Sequence, residues 1–183
     1  GISYDDYTAI AKKAFAKIAI DVKGIHEFEN PKVAIQNAEA IFTGGGNTFE
    51  LVNQLYKNDV ITVLKEVLNN GTPYLGTSAG SNICGINMMN TNDMPIVYPP
   101  SFITLGAIPF NINAHYLDPI KDSKHMGETR ETRIKEFHVL GLREGSWLEV
   151  LGDKISLKGN LTARLFQKDT NAVELEVGVL TIK

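Results

Sequence analysis

A chain of 183 residues with 43% hydrophobic content can bury one substantial core, so a single domain over residues 1–183 is expected. A net charge of −3, a pI near 5.8 and the lack of a basic stripe exclude a nucleic-acid surface, and no apolar run approaches the ~18 residues of a membrane span. The single cysteine, Cys84, excludes an internal disulfide framework and fits a reducing, cytoplasmic compartment, with no signal peptide visible in the stretch opening at Gly1.

From the N-terminus, Tyr4 to Ile20 places Ile10, Ala14, Phe15 and Ile18 on one face and predicts a helix. Val22 to Phe28 predicts a strand closed by Asn30-Pro31, and Pro31 opens a short helix through Ala38 at a position where proline is tolerated. Ala40 to Thr43 is a brief buried strand that feeds three consecutive glycines, Gly44 to Gly46. Asn47 or Thr48 can cap the next helix, which carries Leu51 and Leu55 before a second amphipathic run of Ile61, Leu64, Val67 and Leu68. Gly71 ends that run, and Pro73 to Gly76 is the following strand. Strands and helices alternating through short connections predict an α/β fold with a parallel sheet, whose sites lie outside the carboxyl ends of the strands.

After Met94 the prolines at 95, 99, 100 and 109 punctuate a loop-rich region leading to a strand at Pro109–Asn113. Lys124 to Phe137 reads as a polar helix. VLGLREGSWLEVLGD, KISLKG and LTARLFQ then predict hairpin-type strands with Gly-Asp and Gly-Asn turns. The junction at His138-Val139 lacks turn residues, so either a connection is missing there or the chain carries a short deletion.

Two loops carry the chemistry. Gly76, Thr77, Ser78, Ala79 and Gly80 fit G-x-S-x-G, in which a serine sits on a tight strand-to-helix turn with its hydroxyl exposed. The triple glycine offers backbone N–H groups with no side chain in the way, although such a run is also a common turn or phosphate cradle. Their joint placement after strands points to a serine hydrolase. The base must be a histidine, and His115 follows the strand PFNIN as the glycine loops follow theirs. His26 lies in an early apolar segment and reads as structural, while His125 and His138 read as solvated on the polar helix. Cys84, six residues after Ser78, reads as a buried helix cysteine rather than a nucleophile.

AIFTGGGNTFELVNQL, YLGTSAGSNI, NTNDMPIVYP, FNINAHYLDP, GETRETRIKEF and GLREGSW resemble, in order, the signature blocks of the peptidase E family. These are aspartyl dipeptidases among the serine peptidases, and the blocks span about Tyr4 to Trp147. The resemblance implies a mostly parallel sheet flanked by helices, of class I glutamine amidotransferase type, with a β-rich C-terminal tail. It implies hydrolysis of Asp-Xaa dipeptides through an acyl-enzyme, without metal or organic cofactor, in a monomer or homodimer. By resemblance Ser78 is the nucleophile, His115 the base and Glu144 the carboxylate that orients it. Asp93 is a rival carboxylate, or a partner for the substrate ammonium. Gly46 and Ala79 would hold the oxyanion, Arg130 would grip the aspartate side chain, and Asn47 would line the pocket. On local chemistry alone, Glu144 could be a solvated turn residue, Asp93 a turn aspartate and Arg130 a surface arginine.

The order Ser78, His115, Glu144 differs from the Ser, acid, His order of an α/β-hydrolase esterase, which is one alternative. A cyanophycinase-like peptidase and an inactive binding module are the others. The family also implies a strand–helix–strand segment ahead of Asp5-Asp6-Tyr7, a unit of roughly 30 residues or more. An N-terminally truncated chain is therefore expected, with apolar side chains bare beside the Ala40–Thr43 strand.

Overall fold

Ser3 starts the first helix by accepting the Asp6 N–H on its hydroxyl at 3.1 Å, and helix α1 runs Tyr4–Phe15 before tightening into a 3₁₀ turn at Ala16–Ile18. The computed structural model describes residues 2–118, 131, 134 and 136–182. Helix α1 is oriented differently from its predicted apolar face. Ala11 is buried and Phe15 meets Phe42 edge-on at 5.0 Å, whereas Ile10 and Ile18 are 59% and 65% exposed. The inward stripe is therefore Tyr7, Ala11 and Phe15, spaced four residues apart on one side of the helix. The aromatic pair of Phe15 with Phe42 and the hydrogen bond of Tyr7 to Gly45 set that face inward.

Val22 to Phe28 forms no strand. A 3₁₀ turn occupies Ile25–Glu27, and the Glu27 carboxylate accepts the Gly24 N–H at 2.9 Å while pairing with Lys12 of α1 at 3.0 Å. That local closure competes successfully with the apolar alternation. Helix α2, Pro31–Gln36, is capped by Asn30, whose side chain accepts from Lys32 and Val33.

Strands β1 (Ile41–Thr43) and β2 (Tyr74–Gly76) pair in parallel, with α3 (Thr48–Lys57) and α4 (Ile61–Asn69) forming the connection between them. Val52, Ile61, Leu64 and Val67 from these helices pack with Ile35, Ile83, Met88 and Leu105 in one core cluster. After the short helix α5 (Ala79–Asn82), strand β3 (Asn111–Ala114) pairs in parallel with β4 (Val139–Leu142). Glu131 and Ile134 are helical, and the Phe137 N–H closes a turn on Ile134 before β4 begins.

Beyond β4 the pairing is antiparallel. Strands β5 (Ser146–Leu151) and β6 (Lys154–Gly159) form the predicted hairpin around Gly152-Asp153. The second predicted hairpin does not form, because β7 (Ala163–Phe166) leaves β6 to pair with β4 and with β8 (Val173–Leu175). Gly159 makes that departure possible: its φ is +103°, and a Cβ there would lie 2.2 Å from the Gly145 carbonyl oxygen. Strand β9 (Gly178–Val179) adds to β6. The result is a mixed α/β fold with parallel pairs β1–β2 and β3–β4 and a β-rich C-terminal part, and its second core cluster includes Phe110, Ile112, Leu140, Leu157 and Leu165. No helix among the described residues is long and apolar enough to cross a membrane.

Candidate active site

The two parallel pairs deliver four chain ends to one place. β1 ends in the triple glycine and β2 in Thr77-Ser78, and the Thr77 N–H bonds the Thr43 carbonyl at 3.0 Å, so the loops start side by side. Ser78 itself has φ 53° and ψ −114°, a backbone conformation that costs a non-glycine residue on the order of 1–3 kcal/mol. The turn is held by bonds from Gly80 N–H to the Gly44 and Thr77 carbonyls. Both glycines of the G-x-S-x-G pattern are needed for the close approach. A Cβ on Gly76 would lie 2.4 Å from the Gly80 oxygen, and one on Gly80 would lie 2.0 Å from the Thr43 oxygen. Backbone cannot yield there as a side chain could, so Gly80→Ala is expected to lose about 3 kcal/mol of stability, the upper end for overpacking, in urea denaturation. An unchanged midpoint would contradict the packing described.

Strand β3 alternates. Asn111 and Asn113 face one way, Ile112 and Ala114 the other, and the two asparagines bond the segment containing Asn87, Asn90 and Asn92. Asn90 returns a bond to the Ile112 carbonyl at 2.7 Å. His115 follows with φ 57°, and the Tyr116 N–H then rejoins the Leu142 carbonyl of β4 at 3.1 Å. His115 is thus set out of the ladder at the end of β3, and Glu144 stands two residues past the end of its parallel neighbour β4.

Three side chains meet in line. His115 Nε2 lies 3.0 Å from Ser78 Oγ, and His115 Nδ1 lies 2.8 Å from Glu144 Oε1. The histidine and glutamate side chains are 55% and 78% exposed, so the site is open to a small ligand. Below it, buried Asn82 ties the serine turn to the histidine strand. Its Oδ1 accepts the Ala114 N–H at 3.2 Å and its Nδ2 donates to Thr48 and Thr91. Arg143 locks the other side, reaching Asp118 at 2.6 Å, Thr162 and Glu174, with its guanidinium 5.4 Å from the Tyr116 ring centroid. These carboxylates hold the guanidinium firmly in its charged form.

The remaining predicted site residues take several positions. Ala79 opens α5, so its N–H belongs to the first turn, where no intrahelical acceptor is available. Gly46 has φ 143° and open space where a Cβ would project, while the Gly45 N–H donates to the Tyr7 hydroxyl at 2.9 Å. Asn47 caps α3 through Glu50 N–H at 3.1 Å and donates to the Met94 carbonyl at 2.8 Å. Asp93 Oδ2 accepts the Thr48 N–H at 2.7 Å and the Thr91 hydroxyl at 3.1 Å, at the positive end of α3. Arg130 and His125 lie outside the described residues.

His26 bonds Asp5 at 2.9 Å and stacks with Tyr4, away from this cluster. His138 is not on a polar helix face: it links the helical turn to β4, its ring lies 5.9 Å from that of Phe110, and burial lowers its pKa. Cys84 lies beyond α5, donates to the Gly80 carbonyl at 3.4 Å, and is pushed up to about 12 by burial, so it stays a thiol near neutrality. Among the described residues no group of three His, Cys, Asp or Glu side chains could hold a metal ion. Tyr7, Asn82 and Arg143 are the residues that sequence reasoning missed. The only local signals for them were a tyrosine in the inward stripe of α1, an asparagine in the serine turn and the arginine preceding Glu144.

A serine on a strained strand-to-helix turn, with an imidazole and a carboxylate in line, is the arrangement of a serine hydrolase. The sequence model of peptidase family S51 matches residues 2–158, and the chain belongs to that family. It is 50% identical over 181 residues to peptidase E of Streptomyces coelicolor, covering 96% of this chain and 74% of that one. It is 45% identical over 179 residues to the probable alpha-aspartyl dipeptidase of Drosophila melanogaster, covering 94% and 75% respectively. A crystal structure of a protein provisionally assigned as peptidase E from Listeria monocytogenes EGD-e shares the fold, with a TM-score of 0.63 at 18% identity over 87% of this chain and 80% of that one.

Proposed function

We propose that this peptidase hydrolyses dipeptides with an N-terminal aspartate through a covalent acyl-enzyme on Ser78. The observation that carries the reading is the in-line contact of Ser78, His115 and Glu144 at 3.0 and 2.8 Å. Ser78 Oγ attacks the peptide carbonyl carbon as His115 Nε2 takes the hydroxyl proton. Glu144 accepts from Nδ1–H and stabilises the imidazolium that forms. The Ala79 and Gly46 N–H groups receive the carbonyl oxygen as it gains negative charge. Collapse of the tetrahedral adduct breaks the C–N bond, and His115 returns the proton to the departing amine. Water then attacks the ester by the same route in reverse roles, releasing aspartate and restoring the Ser78 hydroxyl.

For the substrate, Arg130 grips the side-chain carboxylate and Asp93, with its second oxygen, takes the α-ammonium. Asn47 lines the pocket by holding the Met94 segment against the start of α3. The relatives named for peptidase E and alpha-aspartyl dipeptidase activity support this selectivity. A lone cysteine kept as a thiol suits a reducing, cytoplasmic compartment. The test is product release from Asp-Leu, Glu-Leu, Ala-Leu and isoaspartyl-Leu, with wild type and Arg130→Ala. Asp-Leu should be cleaved fastest, and the variant should lose roughly one and a half to four decades of preference over Ala-Leu, the effect of removing one partner of a charge-assisted pair worth ~2–5 kcal/mol. Faster cleavage of isoaspartyl-Leu, or an unchanged preference in the variant, would overturn the assignment.

A further inference from the structure

The triple glycine beside Ser78 is gripped from two sides. On one side a Cβ on Gly45 would lie 3.1 Å from Ser78 Cβ, so the loop lies directly against the serine. On the other side stands Tyr7, thirty-eight residues earlier, whose hydroxyl accepts the Gly45 N–H at 2.9 Å. The seat is close-fitting: a Cβ on Gly44 would fall 1.8 Å from the Tyr7 hydroxyl oxygen and 2.5 Å from its Cζ. Gly44 must therefore be glycine for the tyrosine to reach its partner.

The rest of α1 is arranged to hold Tyr7 there. Tyr7 and Phe15 are two helical turns apart, about 12 Å along the axis. Phe42 and Gly45 are about 10 Å apart along the extended chain. Phe15 packs on Phe42 at 5.0 Å while Tyr7 meets Gly44 and Gly45, and Ala11, midway between them in the helix, is buried. Helix α1 thus lies antiparallel to β1, fixed at one end by an aromatic pair and at the other by the hydrogen bond. An ion pair from Lys12 to Glu27 and a hydrogen bond between Asp5 and His26 fasten its outer side.

A three-glycine segment has wide conformational freedom, and each peptide plane can turn with little steric resistance. An oxyanion site works only if its donors are already oriented before charge develops. The peptide between Gly44 and Gly45 is held at both ends, its N–H by Tyr7 at 2.9 Å and its carbonyl by the Gly80 N–H at 3.2 Å.

We infer that Tyr7 is a positioning residue for the oxyanion-binding backbone: its hydroxyl takes the Gly45 N–H and so holds the loop in the orientation that leaves the Gly46 N–H to serve the acyl oxygen. The inference rests on the Ser78 acyl-enzyme reading. Tyr7 touches neither substrate nor reacting atoms in this role. Without its hydroxyl the helix still packs, but the Gly44–Gly45 peptide keeps only the Gly80 N–H on its carbonyl side, and the donor beside it is less firmly preorganised. Displacements of an ångström at a reacting centre reduce rate by up to about a hundredfold.

Tyr7→Phe removes the oxygen and keeps the ring. On Asp-Leu it should lower kcat roughly ten- to a hundredfold, with KM changed less than about twofold. An aspartate-like α-aminoboronic acid, whose adduct on Ser78 places an oxygen where the oxyanion forms, should lose affinity by a similar factor. Affinity for the product aspartate and the melting temperature should stay near wild type. Ile10→Ala, on the exposed side of the same helix, should change none of these readouts. Wild-type kcat and boronate affinity in Tyr7→Phe would overturn the inference. A joint loss of boronate affinity, aspartate affinity and melting temperature, or the same kinetic defect in Ile10→Ala, would also overturn it by making the role merely structural. The underlying reading fails separately, through Ser78→Ala: an active Ser78→Ala removes that reading, whereas an inactive Ser78→Ala beside an unimpaired Tyr7→Phe removes this inference alone.

Discussion

Ser78→Ala is expected to leave the chain folded and to lower kcat on Asp-Leu by roughly six orders of magnitude, the scale seen when a serine nucleophile is removed from a working triad. In the proposed mechanism Oγ forms the bond to the acyl carbon, so the variant lacks the attacking atom. Cys84, the other candidate nucleophile in this stretch, keeps its proton because burial raises its pKa to about 12, and its sulfur donates to the Gly80 carbonyl. Stability should stay near wild type, since alanine keeps the same strained backbone and the hydroxyl removed bonds the partly exposed His115. Initial rates on Asp-Leu together with a melting curve check both halves of the statement. Turnover within tenfold of wild type would contradict it.

His115→Ala is expected to be nearly as damaging, and the double variant Ser78→Ala/His115→Ala no worse than either single one. Residues that act as one unit give non-additive losses, because removing either one already disables the proton transfer that both serve. Glu144→Gln should lose less, on the order of 10⁴ at most, since in the proposed mechanism the glutamate orients and stabilises the imidazole without receiving its proton. The exposure of Glu144, 78% of its side chain, argues for the lower part of that range, because water already competes for its oxygens. Asp93→Ala is the control. Its carboxylate is engaged at the start of α3 by Thr48 and Thr91, so the expected effect falls mainly on KM through the substrate ammonium. A larger kcat loss in Asp93→Ala than in Glu144→Gln would transfer the orienting role to Asp93.

Much of this arrangement could be read from local chemistry. Gly76 and Gly80 flank Ser78 because backbone atoms approach their α-carbons too closely for any side chain, and that requirement leaves a pattern in five residues. His115 is legible from two signals together, the rule that a strand end in a parallel sheet faces the site and the family resemblance of INAHY, and β3 does end at Ala114. Glu144 depended on a resemblance, because a turn glutamate carries no local mark of its partner twenty-nine residues away. What local pattern could not show is which chain segment each face meets. The inward face of α1 is the one that carries Tyr7 to the glycine loop and Phe15 to Phe42, not the one richest in isoleucine. Tyr7 is invisible for the same reason, since its partner is a backbone N–H in a distant loop. Val22 to Phe28 has a strand-like pattern, but the Glu27 carboxylate closes a turn on Gly24 instead. Strand β7 pairs with β4 because Gly159 turns the chain across the Gly145 corner, a contact between residues fourteen apart that no hairpin rule anticipates.

The central claim is that Ser78 is the nucleophile, and a fluorophosphonate reports on it directly by forming a covalent adduct only with an activated serine. Intact-mass and peptide mass spectrometry should find one adduct per chain, on the peptide carrying Ser78, abolished in Ser78→Ala and in His115→Ala and slowed by an excess of Asp-Leu. Labelling of another residue, or a folded wild-type protein that takes up no label while still cleaving Asp-Leu, would contradict the account.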